Sequence, residues 1–174
     1  MHRIAEYGTI FVVSVLLQVF LFDRLNLSPY LYPLVYTAFV VLLPAGTDRA
    51  LLLVLSFLLG ASVDLLSGTP GLNTIAATAT GFLRPGIMAL TVGKDAAREG
   101  IVPLPIDTGQ ARWLRYTVAT VSVHCTVFFL FEAMSFAYIG FTLLRILGSI
   151  ASTTFLLWFA ASLMPAGRTH GTQL

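Results

Sequence analysis

Long, unbroken apolar runs dominate the sequence, and short polar turns separate them. A helix of about 17–25 apolar residues crosses the hydrocarbon core of a bilayer, and only helices or closed barrels satisfy every backbone group there. Barrel strands alternate in polarity, whereas these runs are continuous, so the pattern predicts helices. We therefore predict an all-α, polytopic membrane helix bundle that forms a single domain over residues 1–174. The six predicted transmembrane helices are residues 4–22, 29–43, 49–66, 73–90, 112–131 and 142–164.

Turn and capping residues mark the ends of these runs. A serine or threonine before a run is typical of a helix N-cap, and proline is tolerated in the first helical turn. Glycine is typical of the position after a helix. The longest connection, residues 91–111, contains two prolines and mixed charges and is predicted to be a loop. The boundary residues are Ser28-Pro29, Thr47-Asp48, Ser67-Gly68, Asn73 and Thr142.

Composition strengthens the membrane prediction. The chain is 57% hydrophobic and only 10% charged, and its mean hydropathy is +0.87, whereas soluble domains carry about 25% charged residues. The net charge of +2 is small and its basic residues are scattered, which argues against a nucleic-acid partner.

The basic residues predict the orientation, because Lys and Arg near span ends are retained in the cytoplasm. With the amino terminus inside, most of them fall at the cytoplasmic face, and six spans return the carboxyl terminus inside as well. Only Arg24 and Arg145 then lie on the external side. The cytoplasmic set is Arg3, Arg49, Arg84, Lys94, Arg98, Arg112, Arg115 and Arg168.

Three ionisable residues at the external ends of helices form the candidate polar site. Asp64 and Glu132 lie near helix C-termini and Arg145 near an N-terminus, where the helix dipole opposes each charge. A short hairpin separates Glu132 from Arg145, so the two can pair. They either support partner docking, as near-membrane charges often do, or only lock the bundle or face interfacial water. Arg84 lies near a cytoplasmic helix end and is interpreted as a topological anchor that snorkels.

Helix-packing residues are predicted beside this site. Phe57, Gly60 and Asp64 share one helix face, and glycine permits a neighbouring helix to approach closely. Gln18 is the candidate interhelical hydrogen-bond donor of the first span.

The sequence makes no positive case for an enzyme. His2, His124 and His170 are far apart and lack a second ligand at metal spacing, so no cofactor is expected. Cys125 has no cysteine to pair with and is interpreted as a buried apolar residue. Nucleophile-elbow, Walker and dinucleotide-binding patterns are absent from the sequence.

The chain resembles the rod shape-determining protein MreD family over most of its length. The most specific elements are the turn after Asp64 and the Phe-Leu-Arg-Pro element. One departure is Cys125, where the resemblance leads us to expect a second histidine. The matching residues are Gln18-Val19, Pro29 to Tyr32, Leu42-Leu43-Pro44, Arg49, Phe57, Gly60, Asp64, Ser67 to Asn73, Phe82-Leu83-Arg84-Pro85, His124, Phe128-Phe129, Glu132, Leu143-Leu144-Arg145 and Ser149.

The resemblance implies a non-enzymatic component of the bacterial cytoplasmic (inner) membrane. Its implied partners are the scaffold protein MreC, the filament protein MreB, the polymerase RodA and a penicillin-binding transpeptidase, which together support lateral peptidoglycan synthesis and cell shape. Membrane lipid surrounds such a protein.

Two other functions are weighed against this one. The substrate-capture subunit of a vitamin-type transporter is also a compact six-helix membrane protein, but it needs a pocket with convergent polar groups. The turns at residues 68–73 and 134–140 are short and nearly uncharged, which favours protein docking. A lipid-modifying enzyme would need a nucleophile, base or metal site.

Overall fold

The protein is helical throughout the described part of the chain. The computed structural model describes residues 2–25, 28–93, 102–134 and 138–163, and no strand occurs among them. Helix α1 continues into a π-helical turn, Leu17–Phe22. The α-helices are α1 (His2–Leu16), α2 (Thr37–Leu42), α3 (Arg49–Ser67), α4 (Leu72–Thr91), α5 (Pro105–Thr108), α6 (Gln110–Ala133) and α7 (Ile139–Ser162).

Local chemistry explains the ends of α3. The Asp48 carboxylate accepts hydrogen bonds from the backbone N–H groups of Ala50 and Leu51, at 2.9 and 3.3 Å, and so caps the first turn. Gly68 ends the helix in the left-handed conformation with a φ of 69°, which glycine adopts without a steric penalty. The predicted boundaries of this helix are confirmed.

Two predicted caps are wrong, and the segment predicted to be a loop, residues 91–111, is a loop only in part. Asn73 lies inside the first turn of α4, which begins at Leu72. Thr142 lies inside α7, which begins at Ile139, and its side chain is buried. The connection after α4 contains the short helix α5, which begins at proline as helices often do.

Helix α4 lies between two long neighbours in the bundle and carries several buried polar side chains. It packs between α3 and α6, while α7 packs on the far side of α6. Small residues on its buried face allow its neighbours to approach closely. The buried residues of α4 are Asn73, Ala76, Ala77, Thr80, Gly81, Arg84 and Met88.

Three of the described helices are long and apolar enough to cross a membrane, namely α3, α6 and α7. Residues Glu6–Phe22 form a shorter apolar helix. Six spans, and an inside location for both termini, stay predictions. Of the basic residues that predict the orientation, Lys94, Arg98 and Arg168 lie outside the described residues.

The second predicted span is not a continuous helix. Residues 28–43, here called the inserted segment, form a turn and an unwound stretch, and only Thr37–Leu42 is helical. The helix predicted to begin at Pro29 is therefore wrong. An unwound stretch advances about 3.3 Å per residue and a helix about 1.5 Å, so unwinding lets a short apolar run reach farther.

The inserted segment lies inside the protein. Its α2 contacts α1, α4 and α6. An unwound backbone at membrane depth is tolerated only where protein surrounds it, and most side chains of the segment from residue 33 onward are accordingly buried. The fully or almost fully buried ones are Leu34, Tyr36, Thr37, Phe39, Val40, Val41 and Leu43.

Candidate functional site

Side chains from the α7 side and from the α1 side form hydrogen bonds with the unwound backbone of the inserted segment. On the α7 side, Ser149 Oγ accepts a hydrogen bond from the Tyr32 N–H at 3.2 Å, and Thr153 Oγ1 accepts one from the Leu34 N–H at 2.9 Å. Ser149 and Thr153 are one helical turn apart and so present their hydroxyls on the same face. The segment thereby replaces the helical hydrogen bonds that it lacks.

Gln18 satisfies the segment from the α1 side. Its Oε1 accepts the Val35 N–H at 2.8 Å, and its Nε2 donates to the Pro33 carbonyl at 3.2 Å and to Asp23 Oδ1 at 2.8 Å. The side chain is 0% exposed. The prediction of a hydrogen-bonding role is confirmed, but the partners are an unwound backbone and a carboxylate rather than another helix.

Arg84 lies in the interior and holds the end of α2. Its side chain is 1% exposed, so the snorkelling interpretation is wrong. Its Nε donates to Tyr116 Oη at 2.7 Å, and its terminal nitrogens donate to the carbonyls of Val41, Leu43 and Pro44. These carbonyls carry the partial negative charge of a helix C-terminus, which stabilises a cation without a carboxylate.

Asp64 lies in the last turn of α3, but its carboxylate caps α4. Its Oδ2 accepts the N–H and hydroxyl of Thr74 at 2.7 and 2.5 Å, and its Oδ1 accepts the N–H and side-chain amide of Asn73 at 3.1 and 2.9 Å. Thr69 donates its hydroxyl to Oδ1 at 2.5 Å. The favourable N-terminus of α4 offsets the unfavourable dipole of α3 that the sequence predicts for Asp64.

A chain of buried polar side chains continues from Asp64 into the bundle. Asn73 Oδ1 lies 2.9 Å from Tyr36 Oη, which lies 2.7 Å from His124 Nε2. Thr80 Oγ1 lies 3.1 Å from the other ring nitrogen of His124. Sequence reasoning missed this chain, because nothing in the spacing of these residues connects residue 36 with residue 124.

Glu132 and Arg145 form an ion pair at the exposed end of the α6–α7 hairpin. Arg145 donates to both carboxylate oxygens, at 2.7 and 3.3 Å, and the side chains are 26% and 33% exposed for Arg145 and Glu132. The guanidinium carbon lies 4.7 Å from the centre of the Phe129 ring, a distance suited to a cation–π contact. The predicted contact between the two residues is confirmed, and no other ion pair occurs in the described part of the chain.

The same end of the bundle carries Asp23, which sequence reasoning missed. Its carboxylate accepts hydrogen bonds from Tyr32 at 2.7 Å, from Ser67 at 2.5 Å and from Gln18. The Tyr32 ring in turn stacks on Phe128, with centroids 5.9 Å apart. Asp23 therefore joins α1, the inserted segment and α3 beside the predicted polar site. We call this end, defined by Asp23, Asp64, Glu132 and Arg145, the polar end.

Asp64 and the ion pair do not touch. The hydrogen bonds of Asp64 go to Thr69, Asn73 and Thr74, whereas Arg145 bonds only to Glu132 among the described acids. The candidate site consequently has two parts: a buried carboxylate that organises α4 and a partly exposed pair that reaches the surface.

Gly60 is a point of close approach between α3 and α4. A Cβ added to Gly60 would lie 2.5 Å from the Asn73 carbonyl oxygen and from the Thr74 Cα, so the predicted helix-packing role is confirmed. Phe57 is different because it is 50% exposed. Its predicted packing role inside the bundle is wrong, and it faces outward from α3.

No group of three metal-binding side chains occurs among the described residues. Cys125 is buried and carries a free thiol. Comparison with known proteins adds no relative, because no family model, curated protein or solved structure matches the chain.

Proposed function

We propose that this chain is a non-enzymatic component of the bacterial cell-elongation machinery in the cytoplasmic membrane. It binds an MreC-like scaffold protein and supports lateral peptidoglycan synthesis together with MreB, RodA and a penicillin-binding transpeptidase. The proposal rests on the residue resemblance described above, and the geometry of the bundle supports it.

The supporting observation is the contrast between a self-satisfied interior and a partly exposed ion pair. The buried polar side chains form their hydrogen bonds with other parts of the same chain, as Gln18, Asp64, Asn73 and Arg84 do. The pair of Glu132 and Arg145, by contrast, retains exposed surface at the polar end. An arrangement of this kind suits protein docking, in which a rigid bundle offers a charged edge to a partner.

A charge-reversal series tests this proposal. We expect Arg145→Glu to reduce co-purification of the scaffold protein from membranes in mild detergent, because two like charges then face each other. The double variant Glu132→Arg with Arg145→Glu restores the opposite charges and should recover part of the loss. Arg24→Glu is the matched control, because it reverses an exposed charge beside Asp23 without touching the pair.

Two results would count against the proposal. Wild-type recovery of the scaffold with Arg145→Glu removes the docking role of the pair. If the double variant recovers no more scaffold than the worse single variant, the two residues are not coupled. Each residue would then contact the partner separately.

The transporter alternative has one observation in its favour. Unwound stretches of membrane helices often line solute sites in transporters, and the inserted segment contains one. Its N–H groups at Tyr32, Leu34 and Val35 are, however, already bonded to side chains. Saturable binding of a vitamin-sized solute to the purified chain, lost in Gln18→Leu, would favour the capture subunit instead.

A further inference from the structure

The Tyr36 hydroxyl connects the inserted segment to two helices at once. It lies 2.9 Å from Asn73 Oδ1 on α4 and 2.7 Å from His124 Nε2 on α6. Tyr36 and His124 are each 0% exposed, and Asn73 is 3% exposed. These groups are therefore shielded from bulk solvent, and their protons are shared among the partners that the structure provides.

The carboxylate of Asp64 determines which group donates and which accepts at each step of this hydrogen-bond chain. An ionised carboxylate only accepts hydrogen bonds, so Asn73 must turn its Nδ2 toward Asp64, at 2.9 Å. The Asn73 oxygen then faces Tyr36 and accepts its hydroxyl proton. Tyr36 has only this one proton to donate, and its oxygen consequently requires a donor from His124.

We propose that this directed chain fixes His124 as the neutral tautomer protonated at Nε2, and that it latches the inserted segment to α4 and α6. The ring is kept neutral because no carboxylate of the described residues contacts it and a buried, unpaired cation is strongly unfavourable. Its Nδ1 lies 3.1 Å from the Thr80 hydroxyl, whose own proton goes to the Ala76 carbonyl at 2.7 Å. Both groups are acceptors that compete for the histidine proton, and the donor that the Tyr36 oxygen requires decides the competition in favour of Nε2.

Interrupting the hydrogen-bond chain at Asn73 should reverse the tautomer of His124. In Asn73→Leu the Tyr36 hydroxyl loses its acceptor and turns its proton toward His124 Nε2. The histidine proton then moves to Nδ1, where Thr80 Oγ1 accepts it while the Thr80 hydroxyl donates to the Ala76 carbonyl. The latch between the inserted segment and α4 is lost at the same time.

Nitrogen NMR of the histidine ring in lipid bilayers measures this directly, with His2→Gln and His170→Gln leaving His124 as the only signal. We expect the Nε2-protonated tautomer in this background and the Nδ1-protonated tautomer after Asn73→Leu. Thr74→Val is the matched control: it removes a 2.5 Å hydroxyl bond to the other oxygen of Asp64 and leaves the chain intact. Its tautomer should not change.

A second variant guards against misfolding of the first. Tyr36→Phe removes the acceptor of the Nε2 proton and should also shift the proton to Nδ1. Hydrogen exchange of the inserted segment should accelerate roughly tenfold in both chain-breaking variants, since one buried hydrogen bond is lost, but not in Thr74→Val. An Nδ1-protonated or doubly protonated His124 ring in the protein whose hydrogen-bond chain is intact would overturn the proposal. So would an unchanged tautomer in both Asn73→Leu and Tyr36→Phe.

Discussion

Replacing Gly60 by alanine probes a tight backbone contact between α3 and α4. An added Cβ would lie 2.5 Å from the Asn73 oxygen and the Thr74 Cα, and 2.7 Å from the Asn73 carbonyl carbon. Favourable contacts between such atoms need about 3.5–4.0 Å. The obstacles are backbone atoms, which cannot rotate away as a side chain does, so α4 has to move back by about 1 Å.

That movement weakens the cap as well as the packing. The Asp64 carboxylate holds the Thr74 N–H at 2.7 Å and the Asn73 N–H at 3.1 Å, and both distances lengthen as α4 retreats. Overpacking costs about 1–3 kcal/mol, and weakened bonds to a charged acceptor add to this. Alanine favours a helix over glycine by only about 1 kcal/mol, so we expect a net loss of about 1–3 kcal/mol.

The assay is reversible unfolding of the purified chain in mixed micelles as the fraction of denaturing detergent rises, with Gly86→Ala as the control. A Cβ at Gly86 meets nothing within 4 Å, so that variant should be unchanged or stabilised by up to about 1 kcal/mol. Gly60→Ala should unfold at a lower detergent fraction, and Gly60→Leu should also accumulate poorly. The reasoning is refuted if Gly60→Ala is as stable as Gly86→Ala.

Three further predictions concern the interior and the topology. Arg84→Met should destabilise the chain by about 1.5–3 kcal/mol in the same assay, because the buried carbonyls at the end of α2 lose their hydrogen-bond donor. The control Arg115→Met changes an exposed arginine and should be within about 0.5 kcal/mol of wild type. Equal effects of the two substitutions would contradict the buried role of Arg84. Thr153→Val leaves a buried N–H of the inserted segment without an acceptor and should destabilise by about 1–3 kcal/mol, and wild-type stability would mean that the hydroxyl is dispensable. In a cysteine-free background, Pro70→Cys should react with an impermeant thiol reagent in intact cells and Ala111→Cys should not, and the opposite labelling would reverse the orientation.

The parts of the fold that were predictable depend on neighbours in sequence. Asp48 and Gly68 act on the helix to which they are attached, and the Glu132 and Arg145 pair needs only a short hairpin to meet. Gly60 was also predictable, because a glycine beside a carboxylate on one helix face permits a close neighbour.

The inserted segment was not predictable, because its stability comes from distant residues. An apolar run favours a helix in lipid unless something else satisfies its backbone. Here Ser149 and Thr153, more than 100 positions away, supply the acceptors. Arg84 was misinterpreted for a related reason: its partners are backbone carbonyls, which leave no mark in the amino-acid composition.

We propose that the bundle is a docking component of the elongation machinery, and identification of its bound proteins tests this proposal most directly. The tagged full chain is captured from native bacterial membranes in mild detergent, and the co-purifying proteins are identified by mass spectrometry. The account predicts recovery of a single-span MreC-like scaffold, reduced by Arg145→Glu and not by Arg24→Glu. Recovery of a pair of ATPase subunits, with no scaffold, would contradict it and favour a transporter.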